Sequence, residues 1–357
     1  MEWLFRSHFD PMTEAALWSI AAVLVATLVL FVYTVGLRFA TVTADRSRKK
    51  FLSIWRDIFA AALMGDGIPE SRVLPTVRRA DRSDLLEEWN RVCSVVEGKA
   101  MDNLIALAMR TGVPELARNL FQSHRVRSRI LAVQTIGHLR LPEFRDRIKS
   151  LVDDNNTAIS ITAAAALVDI DPDFGTGIVV PMINKRRDWP KTRVSVILSS
   201  AGSERISEPM YRAIRSEDDA GQVYLLQFAR LIESEILDAL VDDLIRSSQD
   251  PGVLNAALKL VSGYRGVPRL ASLTQHESWF VRMQSAKVLG RVGQREHLSL
   301  LETLLDDPEW WVRYRAAQAI SRLPFIGPNE LRAIRGRQSD AYAADMLQQC
   351  FAEVGLA

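Results

Sequence analysis

The acidic segment Asp169–Asp173 is the part of this sequence that comes closest to a metal site. Carboxylates at alternate positions open the calcium loop of an EF-hand, which also needs glycine at its sixth position and glutamate at its twelfth. Those two positions are Phe174 and Val180 in this chain. We therefore interpret the segment as an acidic turn between two helices, where a proline stops the first helix.

Histidine and cysteine offer no better basis for catalysis. The five histidines, at 8, 124, 138, 276 and 297, have no metal-binding spacing, and Cys93 and Cys350 form no CxxC motif. The sequence also lacks a GxSxG nucleophile motif, a GxGxxG motif and a phosphate loop. We predict that the protein is not an enzyme and that it binds no cofactor, metal or small-molecule substrate.

Aromatic residues and arginine recur at one position of two similar segments near the C-terminus, and Trp189 lies close to the same position. Tryptophan and arginine dominate the energetic hot spots of protein interfaces, so these residues could anchor a partner. The alternative is that the aromatic rings only cover the end of a helical stack. The predicted partner-binding residues are Trp279, Phe280, Arg282, Trp310, Trp311 and Arg313.

Residues 15–37 form an uncharged apolar segment, which is long enough to span a bilayer. The acidic residues before it, its length and the lack of a cleavage site argue against a signal peptide. Lys and Arg flanks stay in the cytoplasm, so we predict an extracytoplasmic tail at 1–14, one transmembrane helix at 15–37, and residues 38–357 in the cytoplasm. The basic residues after the segment are Arg38, Arg46, Arg48, Lys49, Lys50 and Arg56.

The segment 38–68 is predicted to form a basic amphipathic helix directly after the membrane. Its apolar face could lie on the inner leaflet while its basic end contacts anionic lipid. It could equally pack on the first helix of the following domain, or on the membrane-spanning part of a partner. The predicted lipid-surface residues are Arg46, Arg48, Lys49, Lys50 and Trp55.

The C-terminal two thirds of the chain are repetitive. A frame of one anchor residue followed by small and aliphatic residues recurs eight times, in steps of 28 to 33 residues. Each unit is predicted to hold two helices, the first rich in small residues and the second amphipathic. The predicted fold is therefore all-α, with a helical cap at 69–122 and a repeat array at 123–357 whose last unit is partial. The anchors are Arg129, Ser160, Arg193, Tyr224, Leu254, Arg282, Arg313 and Ala344.

The stretch Leu304–Ile320, LLDDPEWWVRYRAAQAI, resembles a short HEAT repeat of the kind shared with phycobilisome-lyase subunits. In that family a Val-Arg pair opens the first helix, and its arginine commonly pairs with acidic loop residues along the stack. Arg282 and Arg313 match this arginine, and Arg129 matches it less fully because Ser128 replaces the valine. The resemblance implies an α-solenoid.

The arrangement of anchor, juxtamembrane helix and repeats resembles bacterial inner-membrane HEAT-repeat proteins, which are often associated with family-2 glycosyltransferases. The comparison rests on the anchor and on Phe51–Phe59, Leu86–Asn90 and Trp310–Ala319. It implies a membrane-tethered scaffold in the inner membrane that serves a complex making envelope or exopolysaccharide. The partners that the resemblance implies are the bilayer and a membrane protein complex that includes such a glycosyltransferase.

Two other functions remain open from the sequence. A lyase-type enzyme subunit shares the repeat, but a membrane anchor would be unusual for it. A nucleic-acid-binding HEAT-like protein needs a basic concave face, whereas the net charge of the chain is only +2 and that of the predicted cytoplasmic part is +4. We therefore predict no nucleic-acid partner. A continuous basic groove would contradict this, and mixed charge with aromatic residues would favour a protein.

Overall fold

The computed structural model describes residues 11–64, 68–69, 73–261, 270–338 and 341–353, and all regular elements in these ranges are helices. The prediction of an all-α fold is therefore confirmed. Residues 1–10, most of the predicted extracytoplasmic tail, lie outside the described residues. The chain divides into two compact units, Met1–Thr135 and Ile136–Ala357.

The first unit begins with one very long helix, which three shorter helices and most of a fourth follow. The elements are α1 (Pro11–Leu63), a 3-10 turn (Arg79–Asp81), α2 (Arg82–Cys93), α3 (Lys99–Arg110), α4 (Val113–Phe121) and α5 (Val126–His138), the last of which crosses the boundary between the units. Helices α2 to α4 occupy the region predicted as the helical cap.

Helix α1 joins the predicted transmembrane and juxtamembrane helices into one element of 53 residues. Its described side chains from Trp18 to Phe39 are exposed. Hydroxyl groups in this apolar stretch are satisfied within the helix: Ser19 Oγ donates to the Ala15 carbonyl at 2.8 Å, and Thr27 Oγ1 donates to that of Val23 at 2.7 Å. Such internal bonds are what a helix in lipid requires, because hydrocarbon offers no partner to a polar group.

The C-terminal part of α1 packs into the core of the first unit. Trp55 is almost fully buried, and its ring centroid lies 6.2 Å from that of Phe51 and 5.8 Å from that of Phe59. These rings face α2 and α3, whose apolar residues include the fully buried Leu86 and Leu104. The packed arrangement, one of the placements that the sequence left open, is therefore the one seen in the structure.

Polar contacts hold the same junction. Arg56 Nε lies 2.7 Å from Glu88 Oε1, and Asn103 Nδ2 donates to the Ala62 carbonyl at 3.2 Å. Burial alone would raise the pKa of Glu88, but the hydrogen bonds from Arg56 and Arg91 lower it below its usual value. The carboxylate of Glu88 therefore stays charged while it ties α1 to α2.

The second unit is an array of paired helices. Its helices are α6 (Arg145–Leu151), α7 (Thr157–Ile170), α8 (Pro172–Lys185), α9 (Lys191–Ala201), α10 (Ser203–Ser216), α11 (Asp219–Leu225), α12 (Ser234–Ser247), α13 (Pro251–Leu260), α14 (Leu270–Leu273), α15 (Trp279–Val292), α16 (Leu298–Leu304), α17 (Trp310–Arg322), α18 (Pro328–Arg337) and α19 (Ala341–Glu353). Three 3-10 segments, Pro142–Phe144, Leu226–Leu231 and Arg295–His297, join this series.

The eight predicted anchors lie in eight different helices, namely α5, α7, α9, α11, α13, α15, α17 and α19. We call α7, α9, α11, α13, α15, α17 and α19 the first helices, and α8, α10, α12, α14, α16 and α18 the second helices. First helices pack on the neighbouring first helices, as α15 does on α17 and α17 on α19, and α10 packs on both α8 and α12. The array therefore buries its apolar faces between repeats, which a single pair could not do.

Small residues allow the first helices to approach closely. A Cβ atom at Gly290 would lie 2.7 Å from that of Ala319, and one at Gly137 would lie 2.8 Å from that of Ala166. Both glycines occupy the same position of the repeat, eight residues after the anchor. Close packing between first helices therefore also involves a glycine four residues beyond the small residues that define the frame.

Acidic and amide side chains in the loops begin the next helix. Asn156 Oδ1 accepts from Ala158 N at 3.0 Å, Asp171 Oδ1 from Phe174 N at 3.1 Å, and Asp250 Oδ1 from Val253 N at 2.9 Å. These bonds satisfy amide groups that the first turn of a helix leaves free.

Candidate partner-binding surface

The acidic segment Asp169–Asp173 has structural roles. Asp171 caps α8 and its carboxylate lies 3.4 Å from Arg145 Nη1, and Asp173 lies 3.3 Å from Arg205 Nε. Among the described residues, no group of three or more His, Cys, Asp or Glu side chains could hold a metal ion. The interpretation of this segment as a turn between helices agrees with the structure.

His138 and Asp169 form a partly buried histidine–carboxylate pair. His138 Nδ1 lies 3.6 Å from Asp169 Oδ2. Burial lowers the pKa of His138 to about 4 and raises that of Asp169 to about 6. The imidazole is therefore neutral at pH 7.

Trp189, which lies near the position of the C-terminal tryptophans, is a core residue. Its side chain is 2 % exposed, and its Nε1 donates to Ser160 Oγ at 3.0 Å. Ser160 in turn donates to the Val152 carbonyl. Trp189 therefore links two repeats from inside, and it does not extend the exposed aromatic residues.

Arg282, predicted to contact a partner, is instead engaged within the array. Its Nε and Nη2 lie 2.7 and 2.9 Å from the two carboxylate oxygens of Asp307, and its Nη1 donates to the carbonyls of His276 and Glu277, both at 2.8 Å. The hydrogen bond with Asp307 raises the pKa of Arg282. This placement matches the pairing with an acidic loop residue that the resemblance implied.

Arg313 occupies the equivalent position one repeat later and also points into the array. Its Nη1 donates to the carbonyls of Asp307 at 2.7 Å and Pro308 at 3.0 Å. Asp307 therefore joins two repeats, through its side chain to Arg282 and through its backbone to Arg313. The guanidinium of Arg313, like that of Arg282, is not available as a surface anchor.

The aromatic residues at the start of α15 and α17 remain at the surface. Phe280, Trp310 and Trp311 are 38 %, 47 % and 50 % exposed, while Trp279 is partly buried. Trp279 packs edge-to-face on Phe280, with ring centroids 5.0 Å apart, and Trp310 packs in the same way on Trp311 at 4.7 Å. The rings form two clusters on neighbouring repeats.

Two further aromatic residues belong to this surface and were missed from the sequence. Tyr314 lies one helical turn after Trp310, and their rings stack in parallel with centroids 5.3 Å apart. Tyr342 follows Trp311 by 31 residues, as Trp311 follows Phe280, and it is highly exposed. The repeat period and the helical spacing would have found both. We call Trp279, Phe280, Trp310, Trp311, Tyr314 and Tyr342 the aromatic row.

The predicted lipid-surface residues do not lie on one free helix face. Trp55 is in the core, Arg48 lies 3.0 Å from Asp84, and Lys49 lies 3.2 Å from Asp45. An α-helix rises 1.5 Å per residue, which puts Arg46 about 14 Å and Lys50 about 20 Å beyond Leu37 along the unbroken helix. A headgroup layer is only about 5–7 Å thick. With the bilayer ending at Leu37 as predicted, the basic residues of the unbroken helix α1 lie beyond the headgroup layer, and their contact with lipid stays a prediction.

Helix α1 is the one helix in the described ranges that is long and apolar enough to cross a membrane. Its most apolar window lies near the N-terminus, and none of that window is buried by the rest of the protein. The predicted membrane-spanning segment therefore lies within a helix whose length and composition would allow it to cross a membrane.

The sequence comparisons point to one repeat family. The chain matches no curated protein. Two crystal structures, both of engineered proteins from the Northeast Structural Genomics Consortium, are similar to it. The first is 15 % identical, with a TM-score of 0.36 over 84 % of this chain and 94 % of that one. The second is 13 % identical, with a TM-score of 0.21, and the match covers 75 % of this chain and 96 % of the engineered one. Residues 241–321, which include α15, α16 and most of α17, match the family described as HEAT repeats.

Proposed function

We propose that the protein is a scaffold that binds another protein through the aromatic row of its HEAT repeats. The exposure of Phe280, Trp310 and Trp311 carries this proposal. HEAT repeats generally present extended surfaces to protein partners, and large exposed aromatic side chains are typical anchors of such contacts. The repeat frame requires only the buried small residues and the paired arginines. The exposed aromatic rings are not required for packing of the frame, which leaves them available for binding.

The scaffold is further proposed to be tethered to a membrane through α1. A helix with about 20 uncharged residues and no protein covering them is suited to lipid. Tethering would raise the effective concentration of the repeats for other membrane proteins. On the resemblance to bacterial inner-membrane proteins, the partner is proposed to be a polysaccharide-synthesis complex with a family-2 glycosyltransferase.

The proposed topology places the N-terminus outside and the repeat array in the cytoplasm. Basic residues follow Leu37, and acidic residues predominate before the apolar segment. A C-terminal alkaline phosphatase fusion, which is active only outside the cytoplasm, is expected to stay inactive in intact bacteria. A fusion of the same reporter to a cleavable signal peptide is the positive control, and phosphatase activity from the C-terminal fusion would contradict the topology.

The scaffold proposal predicts that Trp311→Ala weakens partner capture without destabilising the fold. Loss of an interface hot spot costs about 2 kcal/mol, equivalent to about a 30-fold weaker affinity. Because half of the Trp311 surface is already exposed, we expect only a small change in the melting temperature. Photocrosslinking and affinity capture from intact membranes would measure the first effect, and circular dichroism the second.

Met109→Ala is the matched control, because Met109 is a large apolar side chain with similar exposure on α3. Capture by this variant should equal that of the wild type. If Trp311→Ala captures the same proteins in the same amounts, or if it unfolds the array, the aromatic row is not the binding surface.

A further inference from the structure

Acidic residues are absent from most of the first helices that flank the aromatic row. Helices α9, α13, α15 and α17 and the segment Leu226–Leu231 contain no aspartate or glutamate. The other first helices do carry acidic residues: Asp169 on α7, Asp219 in the first turn of α11, and Asp345 and Glu353 on α19. The exposed charged residues of the five segments without acidic residues are all basic. They are Lys191, Arg193, Arg230, Lys259, Lys287, Arg291 and Arg322, which we call the basic face.

The basic face is not neutralised by the protein. In the described ranges, none of its residues forms an ion pair with a carboxylate, although many other arginines do. Arg230 and Arg291 donate to backbone carbonyls, those of Lys259 at 2.9 Å and Val261 at 2.7 Å. Lys191 donates to Gln227 Oε1 at 2.5 Å, so these contacts leave the positive charge of the basic face uncompensated by a paired carboxylate.

The second helices show the opposite arrangement. Arg212 pairs with Glu208 on α10 at 3.1 Å, and Arg215 of α10 pairs with Asp243 of α12 at 3.0 Å. Helix α12 also carries Glu235, Asp238 and Asp242. The exposed charges of α9, α13, α15 and α17 are therefore all positive, whereas α10 and α12 carry charges of both signs, and the small net charge of the chain does not reveal this difference.

Aromatic and basic residues occupy opposite ends of the same helices. On α15, Phe280 is followed by Lys287 and Arg291, and on α17, Trp311 is followed by Arg322 at the spacing that separates Phe280 from Arg291. Positions seven and eleven residues apart lie on one helix face, about 10 and 16 Å along its axis. On the neighbouring helices α15 and α17, an apolar line at the helix start thus runs beside a basic line further along, whereas Lys191 and Arg193 lie in the first turn of α9.

Acidic residues mark the apolar line. Glu277 and Glu309 lie in the loops just ahead of Trp279 and Trp310, and both are exposed. They would repel a phosphate or any other anion placed next to the rings. A uniform polyanion, such as a nucleic acid or an anionic lipid surface, therefore suits only one of the two lines.

The ring geometry also disfavours a single-stranded nucleic acid. Bases stack on the open faces of separate aromatic side chains. Here Trp310 and Tyr314 already stack on each other, and Trp311 packs edge-to-face on Trp310. The cluster presents one apolar surface, which is the form that suits a neutral apolar side chain of a protein.

We propose that the partner segment bound by this surface is an acidic amphipathic one, with apolar side chains on the aromatic row and carboxylates on the basic face. This proposal rests on the scaffold function and deepens it by defining the chemistry of the partner. Charge complementarity across the basic face selects the partner and speeds its association, and the rings supply the apolar anchor.

A binding experiment with the full chain in zwitterionic detergent tests this proposal. The probe is a fluorescein-labelled helical peptide of 22 residues, with leucine on one face and glutamate on the other. Polyglutamate of equal length and a 20-nucleotide oligothymidylate serve as uniform polyanions. We expect saturable binding of the amphipathic peptide, measured by fluorescence anisotropy, and at least tenfold weaker binding of both polyanions.

The triple variant Lys259→Glu, Lys287→Glu, Arg322→Glu should bind the peptide at least tenfold more weakly. The control triple variant Lys185→Glu, Arg332→Glu, Arg335→Glu changes the net charge equally on exposed positions of second helices, and it should change the affinity less than threefold. Circular dichroism checks that both variants fold. Raising the salt concentration should weaken the interaction of the wild type and hardly affect the first variant.

Three results would overturn the proposal: no saturable binding of the amphipathic peptide, equally tight binding of a uniform polyanion, or equal losses in the two triple variants. Membrane capture separates this proposal from the scaffold function. If Trp311→Ala abolishes capture and the basic-face variant does not, the scaffold remains and the acidic partner is wrong. If Trp311→Ala has no effect on capture, the scaffold function itself fails.

Discussion

Ala317→Asp is expected to destabilise the C-terminal repeats by several kcal/mol. Ala317 is fully buried on α17, where it faces the packed helices of the array, and its neighbour Ala316 is buried as well. An aspartate at this position would bring a charge into a space that fits one methyl group, with no cation there to pair it. Thermal unfolding by circular dichroism should show a melting temperature lowered by many degrees.

Gln318→Asp is the control on the same helix. Gln318 is partly exposed, and its Oε1 accepts from Arg315, so a carboxylate at this position can stay hydrated near a cation. Its effect should stay below about 1 kcal/mol, as for ordinary surface changes. Hydrogen exchange should locate the loss in Ala317→Asp at α15 to α19, because each repeat depends on its neighbours. An unchanged melting temperature in Ala317→Asp would mean that this face of α17 is not packed.

The repeat could be predicted from the sequence because the small residues and their spacing of about 31 residues can both be found without knowing the three-dimensional structure. Ala163, Ala286 and Ala317 are fully buried, and each lies at the predicted place in a first helix. The same frame also located the weaker repeats, since their anchors Arg193, Tyr224 and Leu254 lie in the first helices α9, α11 and α13. A tight contact between helices permits only small residues at the contact position, so the same residue types recur at that position in the sequence of each repeat.

The role of each tryptophan could not be predicted in this way. Trp189 and Trp310 have the same chemistry and nearly the same place in the repeat, but one is buried and the other is half exposed. The difference depends on the neighbouring repeat, where Ser160 provides an acceptor for Trp189 Nε1. Such a contact joins residues 29 positions apart, and nothing in the local sequence specifies it.

The sequence contains a signal that α1 continues as one helix past Leu37. Residues 37–64 contain neither glycine nor proline, so no helix breaker separates the apolar segment from the amphipathic one. The change from uncharged to basic residues at Arg38 predicts two separate helices, one before and one after this position. The structure shows that only the environment of the helix changes, from exposed at Phe39 to buried at Trp55.

The pair of Arg282 and Asp307 is expected to be the strongest polar link between repeats. Both side chains are largely buried, the geometry is bidentate, and Asp307 Oδ1 also accepts from Glu309 N at 2.9 Å. Asp307→Ala would leave the guanidinium of Arg282 buried without its counter-charge. Removing one partner of a buried pair typically costs about 3–5 kcal/mol, so the variant should unfold at a clearly lower urea concentration.

A double-mutant cycle separates the pair from the effects of each side chain. Replacing both partners with apolar residues, as Arg282→Met with Asp307→Leu, should cost less than the sum of the two single changes, because no buried charge is left unpaired. The exposed pair of Arg295 and Glu330, whose atoms lie 2.9 Å apart, is the matched control, and its removal should cost less than about 1 kcal/mol. Additive effects at Arg282 and Asp307, or equal losses at both pairs, would show that the buried link does not hold the repeats together.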